Sequence, residues 1–337
     1  MNVLGIESSC DECSAAVVQD GRRVLSNVVL SQVDFHRPFY GVVPEIASRK
    51  HVEWIRPVVV DGLAEAGVSL AEIDAVAATY RPGLIGSLLV GLSYAKGLAW
   101  ALGKPLIGVD HILGHLYAAH LERDIEYPYL GLLVSGGHTI IAQVDRWDSI
   151  RVLGTTIDDA CGEAFDKVAK HYGVGFPGGL AIDRLARSGD PRAYSFPRPS
   201  LNKGESTYDV SYSGLKTAVI HQADHFWNGS AEKSLANIAA SFQKAAIDIL
   251  VERALAAASD AGLRRMVAAG GVAANSYLRE RMGAERGIEV IFPSLKLCTD
   301  NAAMIAGYAY HAFMDGKTAD FSLNAEARVP MFKRKYP

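Results

Sequence analysis

Two histidines, His111 and His115, stand four apart in His111-Ile112-Leu113-Gly114-His115. On a helix that spacing sets both rings on one face, where they can share a metal ion. Gly114 between them weakens the helix, a cost that asks for a reason. Two ligands do not make a site, and a carboxylate is the natural third. Asp300, in Cys298-Thr299-Asp300-Asn301, is placed to cap the N-terminus of a following helix. Together the three would form a two-histidine, one-carboxylate face with open positions, suited to iron or zinc. The plainer reading leaves Asp300 a cap and the histidine pair an accident of spacing.

Two glycine turns have the makings of phosphate cradles. In Val134-Ser135-Gly136-Gly137-His138 the glycines let backbone N–H groups approach an anion, and Ser135 adds a hydroxyl. A plain Gly-Gly hairpin would look the same. Ala269-Gly270-Gly271-Val272-Ala273-Ala274-Asn275 lies between a predicted strand and a predicted helix, whose N-terminus favours negative charge. Neither turn is G-x-G-x-x-G, and no Walker pattern occurs, which disfavours a Rossmann dehydrogenase or a P-loop ATPase. The run from Asp158 to Lys167 is an acidic helix start, with Glu163 and Asp166 three apart on one face. Phe176-Pro177-Gly178-Gly179 then turns into a helix carrying Asp183, and carboxylates beside glycine turns suit ribose hydroxyls. Cys10 and Cys13 form a C-x-x-C, but with Asp11 and Glu12 inside it and no second pair, isolated reduced cysteines are the better account.

The elements that must position these residues can be read from periodicity. Strands are predicted over 3–6, 14–18, 24–30 and 73–79, with helices over 43–66, interrupted near Pro57, and over 86–101. The second half repeats the order: strands at 129–134, 139–144 and 149–154, a long helix over 236–257, a strand at 265–269, and a helix from 276. A short strand near 290–293 and a helix over 300–314 follow. Strand, small polar turn, strand, strand and helix thus recur, as a duplicated fold with a nucleotide cleft between its halves would require. With 337 residues, 49% of them hydrophobic, the chain has ample core. A net charge of −3 and four cysteines argue against a nucleic-acid-coating protein and against a disulfide scaffold. No apolar run looks long enough to span a bilayer and the first residues lack a signal peptide's features, so the expectation is a cytoplasmic protein without a membrane partner.

Taken in order, these motifs resemble the tRNA N6-adenosine threonylcarbamoyltransferases, the TsaD/Gcp family. The match rests on the residues from Gly5 to Glu12, Gly41-Val42-Val43-Pro44-Glu45, Pro82-Gly83-Leu84, His111 to His115, Ser135 to Thr139, and Asp158 to Lys167. It continues through Tyr212-Ser213-Gly214-Leu215-Lys216-Thr217, Ala269 to Asn275 and Cys298 to Met304. The resemblance implies a two-lobed actin/Hsp70/sugar-kinase-like (ASKHA) α/β fold with duplicated mixed sheets flanked by helices. It places an N-terminal lobe at 1–108, completed by about 320–337, and a C-terminal lobe at 109–319. The nucleotide and metal would sit in the cleft between them.

The resemblance also implies a reaction: transfer of threonylcarbamoyl from threonylcarbamoyl-AMP to N6 of adenosine 37 in tRNAs that read ANN codons. Carried over by position, His111, His115 and Asp300 would bind one divalent ion, Fe(2+) first and Zn(2+) second. Val134, Ser135, Gly136, Gly137, His138, Asp166, Gly179, Asp183 and Asn275 would bind the adenylate. Asp11 and Glu12 would face the same cleft, where either could accept the amine proton. A TsaB-like paralogue and a TsaE-like ATPase would be partners, with the apolar helix at 43–66 as a candidate pairing surface. The basic end, Arg328 with Lys333, Arg334 and Lys335, is a candidate tRNA contact. Three departures stand out: Leu133, where archaeal and eukaryotic members often carry tyrosine, Leu180 in place of a frequent proline, and Cys13 in place of threonine. A kinase or ATPase of the same fold is the rival, disfavoured because Mg²⁺ prefers oxygen ligands. An endopeptidase is disfavoured by the absence of H-E-x-x-H.

Overall fold

The computed structural model describes residues 1–198 and 207–329. Lys333, Arg334 and Lys335 of the candidate tRNA contact lie outside the described residues. The chain divides into two compact units, one of Met1–Glu126 with the described chain from Pro293 onward, the other Tyr127–Phe292.

The first unit opens with a three-strand meander, β1 (Asn2–Glu7), β2 (Glu12–Gln19) and β3 (Arg23–Ser31). Then come α1 (Val33–His36), α2 (Pro44–Ala66), β4 (Ala75–Arg81), α3 (Ile85–Leu102), β5 (Leu106–Asp110) and α4 (His111–Tyr117). Strand order is β3-β2-β1-β4-β5, with β4 parallel to β1 and β5 parallel to β4. Leu4, Ile6, Val17, Val76 and Leu106 form one core with Val58 and Val59 of α2 and Leu92 and Ala95 of α3. Parallel strands must be covered on both faces, which is why β1 and β4 read as runs of small and apolar residues rather than as alternation.

The second unit repeats this order. β6 (Tyr129–Val134), β7 (Thr139–Arg146) and β8 (Ser149–Thr155) form the meander. The helices α5 (Cys161–Tyr172), α6 (Gly178–Ala186), α7 (Ser213–His221) and α8 (Leu235–Asp260) precede β9 (Arg265–Ala269), α9 (Ser276–Gly283) and β10 (Glu289–Ile291). Its order, β8-β7-β6-β9-β10, is the first sheet's topology again, with β9 parallel to β6 and β10 parallel to β9. The repeat expected from strand spacing is therefore present in the sheets. The chain then returns to the first unit as α10 (Leu295–Cys298) and α11 (Ala302–Met314).

Three expectations need correcting. The boundary at 108/109 is displaced: His111–Tyr117 and the segment carrying Asp300 belong to the first unit, because α11 packs on β1 and β2 and α4 packs on α11. Gly5 makes that possible. A Cβ there would lie 2.5 Å from the Ala302 carbonyl oxygen, so only glycine lets β1 approach the start of α11. Second, α2 runs unbroken through Pro57. An interior proline costs about 3 kcal/mol, whereas burying Ile55, Val58 and Val59 returns roughly 1.5–3 kcal/mol each. Packing wins. Third, Ile85–Leu102 is long and apolar enough by composition to cross a membrane. In this fold Leu88, Leu92, Ala95 and Ala99 are buried, and the helix packs on α2 and β4.

Candidate functional site

Strand β5 ends at Asp110, whose Oδ1 accepts the Ile112 N–H at 2.9 Å and so caps α4. Its other oxygen takes Arg81 Nε at 3.1 Å. With the start of α4 fixed, His111 and His115 fall one turn apart on a buried face, their rings edge to face with centroids 4.5 Å apart. The third member arrives from the other end of the chain. Ser14 Oγ accepts Ala302 N–H at 2.9 Å and Asn27 Oδ1 accepts Ala303 N–H at 3.2 Å, pinning the start of α11 to β2 and β3.

Asp300 is not the cap of α11. Asn301 is, its Oδ1 accepting Met304 N–H at 3.1 Å. That leaves Asp300 Oδ1 directed at the histidines, 3.0 Å from His115 Nε2 and 3.5 Å from His111 Nε2. One donor atom from each of the three lies within 4.8 Å of the others, close enough for all to bind a single ion. Two imidazole nitrogens with one carboxylate oxygen suit a transition metal and not Mg²⁺, so the residues present fit the metal expected of them.

The electrostatics follow from crowding. Burial would push the His111 imidazole down, but Asp300 and Glu7 on either side hold it up to about 9. Burial and the charge of His111 lower His115. Glu7, wholly buried at the end of β1, is raised by burial but ends below its ordinary value through the charge and hydrogen bond of His111. At the start of β2, Glu12 Oε1 accepts Ser31 Oγ–H at 3.2 Å. Burial, then the charges of Asp11 and Asp300, push the Glu12 carboxyl well above the usual carboxylate range. Asp11 is buried beside it, its carbonyl accepting Gln32 N–H at 3.0 Å. Asp11, Glu12, His111, His115 and Asp300 are thus one neighbourhood within the first unit.

The other predicted residues gather in the second unit. Val134 to His138 form the tight β6–β7 turn: Ser135 N–H donates to the His138 carbonyl at 2.8 Å, and His138 N–H to Ser135 Oγ at 3.1 Å. Gly136 and Gly137 are exposed with open space where a Cβ would point. The Ser135 carbonyl accepts Gly162 N–H at 3.1 Å, tying the turn to α5. Gly270, at φ +90°, lies against the Val134 carbonyl. Asp166 Oδ1 accepts Gly178 N–H at 2.7 Å, beside Gly179, so this carboxylate holds the start of α6. Asp183 Oδ1 accepts the hydroxyl of Ser276 at 2.6 Å and its N–H at 3.2 Å. Asn275 caps α9 through Leu278 N–H at 3.0 Å and donates to Gln243 Oε1 at 2.8 Å. These polar groups are therefore locked against one another around the two glycine turns.

Sequence reasoning missed several contributors. Glu7 and Ser9 lie against Nδ1 of His111, Thr79 donates to Glu7, and Asp110 sets the helix. The available signal was an acid ending an apolar strand, Val3-Leu4-Gly5-Ile6-Glu7. The acidic run is bound to the Tyr212–Thr217 motif: Asp158 accepts Tyr212 N–H at 2.7 Å, and Asp159 pairs with Lys167 at 2.7 Å and with Lys216.

A family model described as "TsaD: tRNA N6-adenosine threonylcarbamoyltransferase" matches residues 23–307. A relative from Treponema denticola named tRNA N6-adenosine threonylcarbamoyltransferase is 62% identical over 335 residues, 99% of each chain. Among solved structures, T. kodakarensis HypF aligns with a TM-score of 0.63 at 14% identity, covering 96% of this chain and 49% of its own. The Acidaminococcus fermentans (R)-2-hydroxyglutaryl-CoA dehydratase component A aligns with a TM-score of 0.54 at 16% identity, covering 92% of this chain and 98% of its own. These two show the fold alone, the ASKHA architecture of duplicated mixed sheets.

Proposed function

The chain belongs to the tRNA N6-adenosine threonylcarbamoyltransferase family, and from that premise we propose that it takes threonylcarbamoyl-AMP as donor and modifies N6 of adenosine 37 in tRNAs reading ANN codons. The amine nitrogen attacks the carbamoyl carbon, the bond from that carbon to the phosphate oxygen breaks, AMP leaves, and the amine proton passes to a base. An exocyclic adenine amine is a poor nucleophile, so the acyl carbon needs a good leaving group and the proton a nearby acceptor.

The observation that carries this reading, beyond family membership, is the convergence of His111 Nε2, His115 Nε2 and Asp300 Oδ1 beside Glu12. When bound there, a divalent ion, Fe(2+) first and Zn(2+) second, supplies a Lewis acid for an acyl or phosphate oxygen. Glu12 accepts the amine proton. A carboxyl raised by burial and like charge is a stronger base than a free one, which suits it to that transfer. Asp11 adds its charge to the rise that burial gives Glu12. In the second unit, the N–H groups of the Val134–His138 turn receive the phosphate, and Ser135, Asp166, Gly179, Asp183 and Asn275 shape the adenosine side.

The test is to incubate the protein with synthetic threonylcarbamoyl-AMP and unmodified tRNA, with and without partner proteins, and to analyse the tRNA nucleosides by mass spectrometry. Threonylcarbamoyl-adenosine is the expected product. Its absence in every combination would remove the transferase reading. Within that assay, Glu12→Gln is expected to lower turnover by about 10²-fold or more while adenylate binding is retained. Unchanged turnover would take Glu12 out of the mechanism.

A TsaB-like paralogue and a TsaE-like ATPase complete the proposed partners. Support for the former is the outer face of α2 and α3, where Val52 is 64% exposed, Val60 53% and Trp100 75%. A groove lined by Val52, Ile55, Leu89 and Tyr94 runs along it. Apolar side chains this exposed on adjoining helices mark an interaction surface. Val52→Glu is expected to weaken association with the paralogue by about 30-fold, or 2 kcal/mol. Sedimentation showing an unchanged complex would assign pairing to another face.

A further inference from the structure

Glu7 is the last residue of β1 and is fully buried. Holding an ionised carboxylate out of water is costly unless its oxygens are satisfied. Here they are. Oε1 accepts Ser9 N–H at 2.6 Å, and Oε2 accepts Thr79 Oγ–H at 2.5 Å while facing His111 Nδ1 at 3.1 Å. Ser9 Oγ stands 3.2 Å from the same ring nitrogen.

A neutral imidazole carries one N–H, and an ionised carboxylate can only accept. In the neutral form that can ligate an ion, the proton of His111 must therefore sit on Nδ1, leaving the Nε2 lone pair on the side of Asp300. His115 differs: its Nδ1 is buried and has no hydrogen-bond partner among the described residues. Of the two histidines, only His111 has a carboxylate on Nδ1, the nitrogen turned away from Asp300.

We propose that Glu7 is a positioning residue for the metal centre, acting through His111 by holding Nδ1 protonated and Nε2 aimed as a ligand. Ser9 and Thr79 serve the same end one step back, because their hydrogen bonds fix the rotamer of Glu7. The inference rests on the reading of His111, His115 and Asp300 as metal ligands. It adds a residue that touches neither ion nor substrate yet sets how firmly the ion is held. Outer carboxylates of this kind raise the basicity of the ligating nitrogen as well as orienting it.

The test uses the full-length protein and Co²⁺ alone as the probe, read by competition titration and by the visible ligand-field bands. Glu7→Gln keeps the shape and an oxygen for Nδ1 but loses the charge, so Co²⁺ binding is expected to weaken about 10-fold, against about 100-fold for Glu7→Ala. The bands of Glu7→Gln are expected to shift, since the ring is no longer held in one plane. In a His111→Ala background, where His115 and Asp300 give residual binding, Glu7→Gln is expected to change Co²⁺ affinity by less than about twofold, the mark of a residue acting through His111. A merely structural role predicts the same loss in both backgrounds, with a lowered melting temperature and unshifted bands, and that result would overturn the proposal. Glu7→Gln with wild-type affinity and spectrum would overturn it too. If the wild-type protein takes up no Co²⁺, the metal reading falls and this inference with it, whereas wild-type binding with an indifferent Glu7 removes this inference alone.

Discussion

His111→Ala is expected to lower formation of threonylcarbamoyl-adenosine by about 10³-fold or more, the equivalent of roughly 4 kcal/mol of transition-state stabilisation. The substitution removes one of three donors around a site whose donor atoms lie within 4.8 Å of one another. It also removes from Glu7 the ring that it faces at 3.1 Å. The effect on catalysis is expected to exceed the effect on folding, because Ser9 and Thr79 still satisfy Glu7 and Asp110 still caps α4. Nucleoside mass spectrometry reads the first quantity and thermal denaturation the second. Turnover within tenfold of wild type, with the variant folded, would show that the histidine pair is structural.

The second large effect lies in the other unit. Gly270→Ala is expected to destabilise the protein by about 2–6 kcal/mol, combining about 1–3 kcal/mol for an alanine in a backbone region that is essentially glycine's alone with about 1–3 kcal/mol for overpacking. The position sits at φ +90°, and a Cβ would lie 2.4 Å from the Val134 carbonyl oxygen and 2.8 Å from its carbon. Neither atom can yield without moving the end of β6, and β6 delivers the Ser135–His138 turn. Adenylate binding is therefore expected to fall along with stability. Gly271→Ala is the control: nothing lies within 4 Å of a Cβ there, and a change below about 0.5 kcal/mol is expected. Denaturant titration of both variants decides it. Equal stability for the two would mean that the close contact at Gly270 relaxes freely.

Much of this was legible beforehand, and the misses have physical causes. The i, i+4 spacing of His111 and His115 is a local signal, and the structure brings Asp300 to them as expected. A cap was expected at 300, but Asn301 takes it, and displacement by one residue frees the carboxylate to face the rings. Strand meanders announce themselves through short turns, so both were readable. The parallel strands β4, β9 and β10 are placeable in sequence but not in order, because a crossover's landing point depends on distant packing, and the five-residue β5 is not legible at all. The same limitation hid Glu7, whose partners Thr79 and His111 lie 72 and 104 residues away. It also misplaced the unit boundary, since nothing local in α11 says that it returns to β1 and β2.

That return has a consequence in time as well as in space. Synthesis runs from the N-terminus, and domains usually fold in that order. Here the first unit is interrupted by the second and is completed only by the chain from Pro293 onward. While the ribosome is still making the second sheet, β1 presents Gly5 and β2 presents Ser14 to a helix that does not yet exist. The histidines are made early and Asp300 late, so a nascent chain that has completed the second sheet still lacks the third donor of the cluster.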